Sequence, residues 1–221
     1  MSVHFQKELE SLQTAVSRLA GQVLISLKDA VKALKESDLM LGESVIGRDA
    51  RIDRMEIAVE KSCQHLLTLQ QPVAGDLRYI MSVLKINMDL ERMADQAANV
   101  AAQVTYLLSC SPPCQQLPRE LSRQSDLVIA MVRDGLKALT GSDVELARRV
   151  IGADDEVDSI HRGMHAQVAG GITANPDRAE EMICRLKISH ELERIADHAV
   201  NICQEVIFIA EGLIARHRTD A

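Results

Sequence analysis

The sequence predicts an all-α fold of two tandem, pseudo-symmetric three-helix bundles, built from six long antiparallel helices. Three observations predict it: apolar residues recur every three or four positions over long stretches, prolines and glycines interrupt those stretches, and the second half repeats motifs of the first. The composition agrees, because 47% of residues are hydrophobic but only 2% are aromatic. Such a core of Leu, Ile, Val, Ala and Met favours helix packing over strands.

The first half contains three helical patterns. The second of them has apolar residues at seven-residue spacing and stops at Gln71-Pro72, because proline disfavours helical geometry in the residue before it. The third begins near Val73 and ends in a proline-rich stretch that closes at Pro118. The stripe of the first helix is Leu9, Leu12, Val16, Leu19, Val23, Leu27, Val31 and Leu34, and that of the second is Val45, Ile52, Val59 and Leu66.

The second half follows the same plan. A fourth helix is predicted from about Arg119 to Leu139, with a break at Gly141. Ser142 and Glu145 have the spacing of a capping box, which predicts that the fifth helix starts there. That helix is weakened at Gly170-Gly171 and ends by Asn175-Pro176, where Asn can cap and Pro can open a sixth helix that runs to about Glu211.

An internal repeat relates the two halves. The segments 85–104 and 187–206 are identical at 10 of 20 aligned positions, with a constant offset (193 − 91 = 102). A second match, at 45–53 and 150–158, has an offset of 105 (154 − 49). We therefore predict a first three-helix repeat at 1–110, a linker at 111–118 and a second repeat at 119–221.

Charge and cysteine usage restrict the class of protein. The formal net charge of -7 has the wrong sign for holding a nucleic-acid backbone, so no nucleic-acid partner is expected. The N-terminus has no apolar signal region and no stretch approaches the length of a membrane span, which favours a cytoplasmic protein. Five scattered cysteines do not form a secreted disulfide framework, and Cys110 with Cys114 lacks the second pair that a cysteine metal site would need.

Four pairs of acidic residues stand out because each pair is spaced by four residues, which places both carboxylates on one face of a helix. Like charges so placed repel each other, so a counter-charge is expected. In the first repeat the pairs are Asp49 with Asp53 and Glu91 with Asp95; in the second they are Asp154 with Asp158 and Glu193 with Asp197.

The register of the two hairpins predicts that these pairs meet. Residues at equal height in an antiparallel hairpin are equally far from its turn, and both Asp53 with Glu91 and Asp49 with Asp95 are centred on Pro72. The pairs of the second repeat are centred between Asn175 and Pro176 in the same way. Four carboxylates at one level would form an oxygen-rich site for a hard or borderline ion such as Mg, Ca, Mn, Fe or Zn.

A simpler interpretation remains open, in which the pairs are solvated edges of amphipathic helices with ion pairs from Arg51, Arg92 and Arg194. Several other side chains lie on the same stripes as the acidic pairs. His161 and His165 continue the stripe of Asp154 and Asp158, so the second site could be richer in nitrogen ligands, although a solvated or core histidine is the commoner case. The remaining candidates are Glu56, Glu60, Asn99, Asn201, His190 and His198.

Two of the acidic motifs resemble a known family. Glu91-Arg92-Met93-Ala94-Asp95 and Glu193-Arg194-Ile195-Ala196-Asp197 are similar to the repeated E(D)xxxD motif of the PhoU family, and the turn at 71–78 resembles its first hairpin. The resemblance implies two three-helix bundles, multinuclear metal clusters on the bundle surface and a homodimer. It also implies a negative regulator that couples the ATPase-driven phosphate ABC transporter to a membrane sensor histidine kinase, controlling phosphate uptake and starvation signalling.

An enzymatic function fits the residues poorly. A di-metal oxidase bundle needs Glu-x-x-His on two helices, whereas Ala94 and Ala196 stand three residues after the two glutamates and only Asp158 with His161 comes near the pattern. No catalytic residue is therefore predicted, and the chain is not expected to be an enzyme. A metal-free adaptor and an accessory subunit of a low-affinity phosphate permease remain alternatives.

Overall fold

Six α-helices form the fold in a computed structural model that describes residues 3–109 and 117–212. No strand occurs within those ranges, so the all-α prediction is confirmed. The linker predicted at 111–118 and the pair Cys110 and Cys114 fall largely outside the described residues. The helices are α1 (Val3–Glu36), α2 (Leu39–Gln70), α3 (Ala74–Ser109), α4 (Arg119–Gly141), α5 (Val144–Ala174) and α6 (Ala179–Glu211).

Each half folds as a bundle around its own apolar stripes. In the first bundle α1, α2 and α3 pack against one another, and in the second α4, α5 and α6 do the same. The seven-residue stripe of α2 is buried along its whole length, since Val45, Ile52, Val59 and Leu66 are at most 2% exposed. None of the helices described is long and apolar enough to cross a membrane.

The two bundles join through α3 and α6, which lie against each other at the centre of the molecule. Their interface contains polar groups as well as apolar ones. Glu205 is only 3% exposed and accepts hydrogen bonds from Ser82 Oγ at 2.8 Å and Lys85 Nζ at 3.1 Å. Buried charges are tolerated when they are paired in this way.

Equivalent positions of the two repeats meet at this interface. Gln96 and His198 occupy equivalent positions in the two repeats, 102 residues apart, and their Nε2 atoms lie 3.3 Å from each other. His198 Nδ1 also contacts Asp89 Oδ1 at 2.8 Å, and Asn201 donates to the same oxygen at 3.2 Å. Contact between equivalent positions is what a two-fold relation between the repeats requires.

The helix ends follow the turn signals, with one correction. Gln71 adopts a left-handed conformation after α2, before Pro72. The predicted capping box at Ser142 and Glu145 is wrong, because Ser142 itself is left-handed (φ 52°) and closes α4. Asp143 caps α5 instead, and its Oδ1 accepts from the Leu146 N–H at 2.9 Å.

The first repeat contains the same turn. Ser37 is left-handed (φ 56°), and Asp38 caps α2 by accepting from the Leu41 N–H at 3.0 Å. In both turns the aspartate N–H reaches back to an alanine carbonyl five residues earlier, which satisfies the end of the preceding helix. The dipeptide Ser-Asp stands at both caps, but it also occurs inside α4 at 125–126, so it does not mark a cap by itself.

The second hairpin also differs in detail from the prediction. α5 continues through Gly170-Gly171 and ends at Ala174. Pro176 begins a short 3-10 turn, Pro176–Arg178, rather than α6 itself, and Asn175 makes no side-chain capping bond there. A single turn of tighter helix is a common way to lead into a longer one.

The corrected cap gives a test. We expect Asp143→Ala to lower the free energy of unfolding by about 0.5 to 2 kcal/mol, because α5 then loses the acceptor for a free N–H. Ser142→Ala should stay within about 0.5 kcal/mol of the wild type. Urea unfolding followed by circular dichroism measures both, and a larger loss in Ser142→Ala would restore the capping box.

Candidate metal centre

The first acidic cluster lies where α2 and α3 face each other. Oxygen atoms of Asp49, Asp53 and Asp95 all lie within 4.8 Å of one another, the only group of three metal-ligating side chains so close among the residues described. Such a separation allows one cation to contact all three carboxylates. The hairpin register therefore brings together residues 42 positions apart in sequence (95 − 53).

Glu91 borders this cluster without belonging to the closest group. Burial raises the pKa of the Glu91 carboxyl, and the nearby charges of Asp95, Glu56 and Asp53 raise it further while Arg92 opposes them. The pKa of Asp49 and of Asp95 is also raised, first by burial and then by neighbouring aspartates. The four predicted residues of the first repeat thus share one electrostatic site.

The second cluster lies at the equivalent place between α5 and α6. Burial raises the pKa of Asp154 to about 6, with further contributions from Asp197, Asp158, Glu193 and Asp155 in that order. The pKa of Asp197 is raised by burial and then by Glu193 and Asp158. The four predicted carboxylates of the second repeat are therefore close enough to repel one another.

One buried carboxylate oxygen in each cluster accepts no hydrogen bond. Asp49 Oδ1 and Asp154 Oδ1 are buried without a hydrogen-bond partner, and these two residues are equivalent in the repeat. A buried carboxylate oxygen without a partner is costly in free energy. The same deficiency at both equivalent positions fits a bound cation, since carboxylate oxygens are the ligands that hard and borderline metals prefer.

Cationic side chains neutralise these clusters only in part. In the part of the chain that the structure describes, ion pairs to the eight predicted ligands are Arg162 with Asp158 at 3.7 Å and His190 with Glu193 at 3.5 Å. The contacts expected from Arg51, Arg92 and Arg194 do not reach ion-pair distance, although Arg92 and Arg194 lower the pKa of neighbouring acids. The first cluster thus retains most of its negative charge.

The sequence did not indicate which side chains orient the outer members of the site. In the first repeat Asn87 donates from Nδ2 to Glu56 Oε1 at 2.8 Å, holding that carboxylate one helical turn from Asp53. The equivalent positions in the second repeat are Ser189 and His161, which also contact each other. An amide or hydroxyl inside a bundle carries no periodic signal of such a role.

Two of the outer candidates face elsewhere. His198 and Asn201 both contact Asp89 across the α3–α6 interface, so these side chains serve the packing of the two bundles. Their neighbour Asp197 lies on the other face of α6, close enough to the second cluster to raise the pKa of Asp154.

The two repeats both match one known domain family. A family model described as the PhoU domain matches the chain twice, at residues 16–104 and 121–206. The chain belongs to the PhoU family. The resemblance found in the two E(D)xxxD motifs is thereby confirmed.

Relatives cover nearly the whole chain. A Thermotoga maritima protein named phosphate-specific transport system accessory protein PhoU homolog 1 is 32% identical over 95% of this chain and 90% of its own length. The PhoU accessory protein of Escherichia coli K12 is 30% identical over 98% and 89%. The crystal structure of PhoU from Pseudomonas aeruginosa superposes with a TM-score of 0.90 at 31% identity, covering 95% of this chain and 100% of that one.

The raised pKa of Asp154 predicts a pH dependence for the metal-free protein. The folded state holds this proton up to about pH 6, whereas the unfolded chain releases it near 3.8, so folding stability contributed by this group falls as pH rises between those values and is level above them. Asp154→Asn removes the effect. After treatment with a chelator, we expect the variant to be more stable than the wild type at pH 7.5 and to lose that advantage toward about pH 4.

Urea unfolding at a series of pH values measures this difference. Asp155→Asn is the control, because Asp155 is exposed and contributes least to the shift at Asp154. Stability curves for Asp154→Asn and the wild type that run parallel from acid to neutral pH would contradict the prediction.

Proposed function

We propose that this PhoU protein is a metal-binding cytoplasmic regulator of phosphate transport, and that the carboxylate clusters of its two repeats are its metal sites. The observation that carries the proposal is the pair of partnerless buried oxygens on Asp49 and Asp154, at equivalent positions in a chain whose relatives are named phosphate-specific transport accessory proteins. Bound Mg, Mn, Fe or Zn would supply the positive charge that the surrounding side chains lack.

Which residues would hold the ion follows from the clusters. In the first repeat Asp49, Asp53 and Asp95 form the closest group, and Glu91 completes it from the next turn of α3. In the second, Asp154, Asp158, Glu193 and Asp197 play the equivalent parts. Because the apolar stripes occupy the opposite faces of these helices, the fold itself needs no metal.

The proposed regulatory role requires that the protein also interact with partner proteins. In the proposed role the protein acts as a homodimer, senses the state of the phosphate ABC transporter through its ATPase, and keeps a membrane sensor histidine kinase from starting the starvation response while phosphate is plentiful. Family membership and the names of the relatives support it. It requires binding and no turnover.

Removal of two carboxylates from the first cluster tests the metal site. We expect Asp49→Ala with Asp53→Ala, and separately Glu91→Ala with Asp95→Ala, to lose metal at one site while remaining helical. Alanine has the highest helix propensity, and each pair of changes relieves repulsion between like charges. Elemental analysis after equilibrium dialysis gives the metal content, and circular dichroism gives the helicity.

The matched control is Glu10→Ala with Glu43→Ala, which removes the same charge from two exposed positions away from the cluster. Its metal content should equal that of the wild type. If both cluster variants also keep their full metal content, the acidic pairs are only solvated helix edges.

The same variants test the regulatory role in cells. In phosphate-rich medium we expect a reporter for phosphate-starvation genes to be active in cells that carry either cluster variant, and silent with the wild type or the control variant. Phosphate uptake measured with radiolabel should continue in all strains. A silent reporter in cells whose purified variant has lost its metal would make the cluster a structural feature only.

A further inference from the structure

The second repeat contains a group of three histidines beside its carboxylate cluster. His161 lies with its ring centre 5.1 Å from that of His165 and 5.6 Å from that of His190. His161 and His165 are four residues apart on α5, and His190 faces them from α6. None of the eight carboxylate ligands proposed above is a member of this group.

These distances are close to those of imidazoles on one metal ion, although the ring nitrogens are not yet as near one another as the oxygens of the first carboxylate cluster. Two histidines bound to a tetrahedral zinc ion, with zinc–nitrogen distances of about 2.0 to 2.1 Å, have ring centres roughly 5 to 5.5 Å apart. His165 and His190 are exposed, so their rings can turn a nitrogen toward His161 without disturbing the core. Glu193, which belongs to the neighbouring carboxylate cluster, lies beside the group with its Oε2 3.5 Å from His190 Nδ1.

A buried network fixes which nitrogen His161 presents. Gln124 Nε2 donates to the backbone carbonyl of Ser189 at 3.0 Å, and a carbonyl can only accept, so the amide orientation is determined. Gln124 Oε1 must then accept from the Ser189 hydroxyl at 2.7 Å. Both residues are 0% exposed.

The Ser189 hydroxyl therefore donates its only proton to Gln124 and can only accept from a second partner. Its contact with His161 Nδ1 at 3.0 Å requires the ring to donate, so the proton of the neutral imidazole is on Nδ1 and the lone pair is on Nε2. Metal-binding histidines have this arrangement, in which the second ring nitrogen donates to a fixed acceptor inside the protein. Burial and the two neighbouring imidazoles also lower the pKa of His161, which favours the neutral ring.

The first repeat has different chemistry at the same positions. Glu56 and Glu60 stand where the second repeat has His161 and His165, and Met88 stands where it has His190. The supporting contact is retained with other residues, since Asn87 holds Glu56 as Ser189 holds His161. The exchange of two carboxylates for two imidazoles changes the class of metal that each repeat would select.

We infer that His161, His165 and His190 form an imidazole site for a borderline divalent cation such as Zn²⁺, Ni²⁺ or Co²⁺, present in the second repeat and absent from the equivalent place in the first. The inference extends the proposed metal-binding function, but its three ligands are separate from the carboxylates on which that proposal depends. The two repeats then differ in selectivity, with oxygen ligands in one and nitrogen ligands added in the other.

Ni²⁺ titration of untagged, chelator-treated protein tests the site. We expect His161→Gln with His165→Gln to lose one Ni²⁺ equivalent, or to bind it at least tenfold more weakly, while circular dichroism remains that of the wild type. The matched control is Glu56→Gln with Glu60→Gln, which changes the equivalent positions of the first repeat and should leave this equivalent in place. Equal Ni²⁺ binding in the wild type and the histidine variant overturns the inference.

A second measurement does not depend on any variant. Two-bond proton–nitrogen spectra of the imidazoles should show His161 with its proton on Nδ1 before metal is added, and its Nε2 signal should shift when Zn²⁺ is added. A proton on Nε2, or an unmoved signal at saturating Zn²⁺, overturns the inference. An Asp154→Ala, Asp197→Ala variant, which removes two carboxylates of the neighbouring second cluster, should retain the Zn²⁺-induced shift, so failure of the carboxylate proposal and failure of this one are distinguishable.

Discussion

The packing of α3 against α6 is the constraint on which the other features depend. Each of these helices is the third member of its own bundle and at the same time half of the contact between bundles. Ile86, Leu90, Ile188 and Leu192 are completely buried on them. Because a buried face on each side fixes the rotation of both helices, the remaining face is determined, and that face contains Glu91 with Asp95 on one helix and Glu193 with Asp197 on the other.

Repulsion between the carboxylates is tolerated because they lie on a different helix face from the residues that pack the core. α2 has its apolar residues seven positions apart on one side and its aspartates on the other. The carboxylates can therefore repel one another while Ile52 and Val59 remain buried. The raised pKa values of Asp49 and Asp154 show where that repulsion and burial are concentrated. A cation bound there would offset the electrostatic repulsion without taking part in the apolar packing, so we expect loss of the metal to leave the helical fold intact.

The periodic features of the structure were predictable from sequence, and the non-periodic ones were not. Helical spacing, the prolines at 72 and 176, and the repeat offset were enough to predict six helices. The hairpin register was enough to predict that the acidic pairs of neighbouring helices lie at one level, as Asp49 and Asp53 do with Asp95. The cap at Asp143 was missed because Ser142 has the same capping preference and only backbone geometry separates the two. The inward turn of His198 and the network from Gln124 through Ser189 to His161 depend on contacts between distant helices, which no local pattern contains.

The contact between Gln96 and His198, at equivalent positions of the two repeats, has a consequence for how such a chain can change over evolution. In a symmetric dimer of single repeats, the residue on the axis would face its own copy, so it could be only a side chain that is complementary to itself. Fusion of two repeats into one chain removes that restriction, because each partner on the axis can be substituted alone. A glutamine amide can then face an imidazole, and Asp89 can hold that imidazole from one side only. The same freedom allows the outer ligands of the two halves to diverge while the common scaffold is retained.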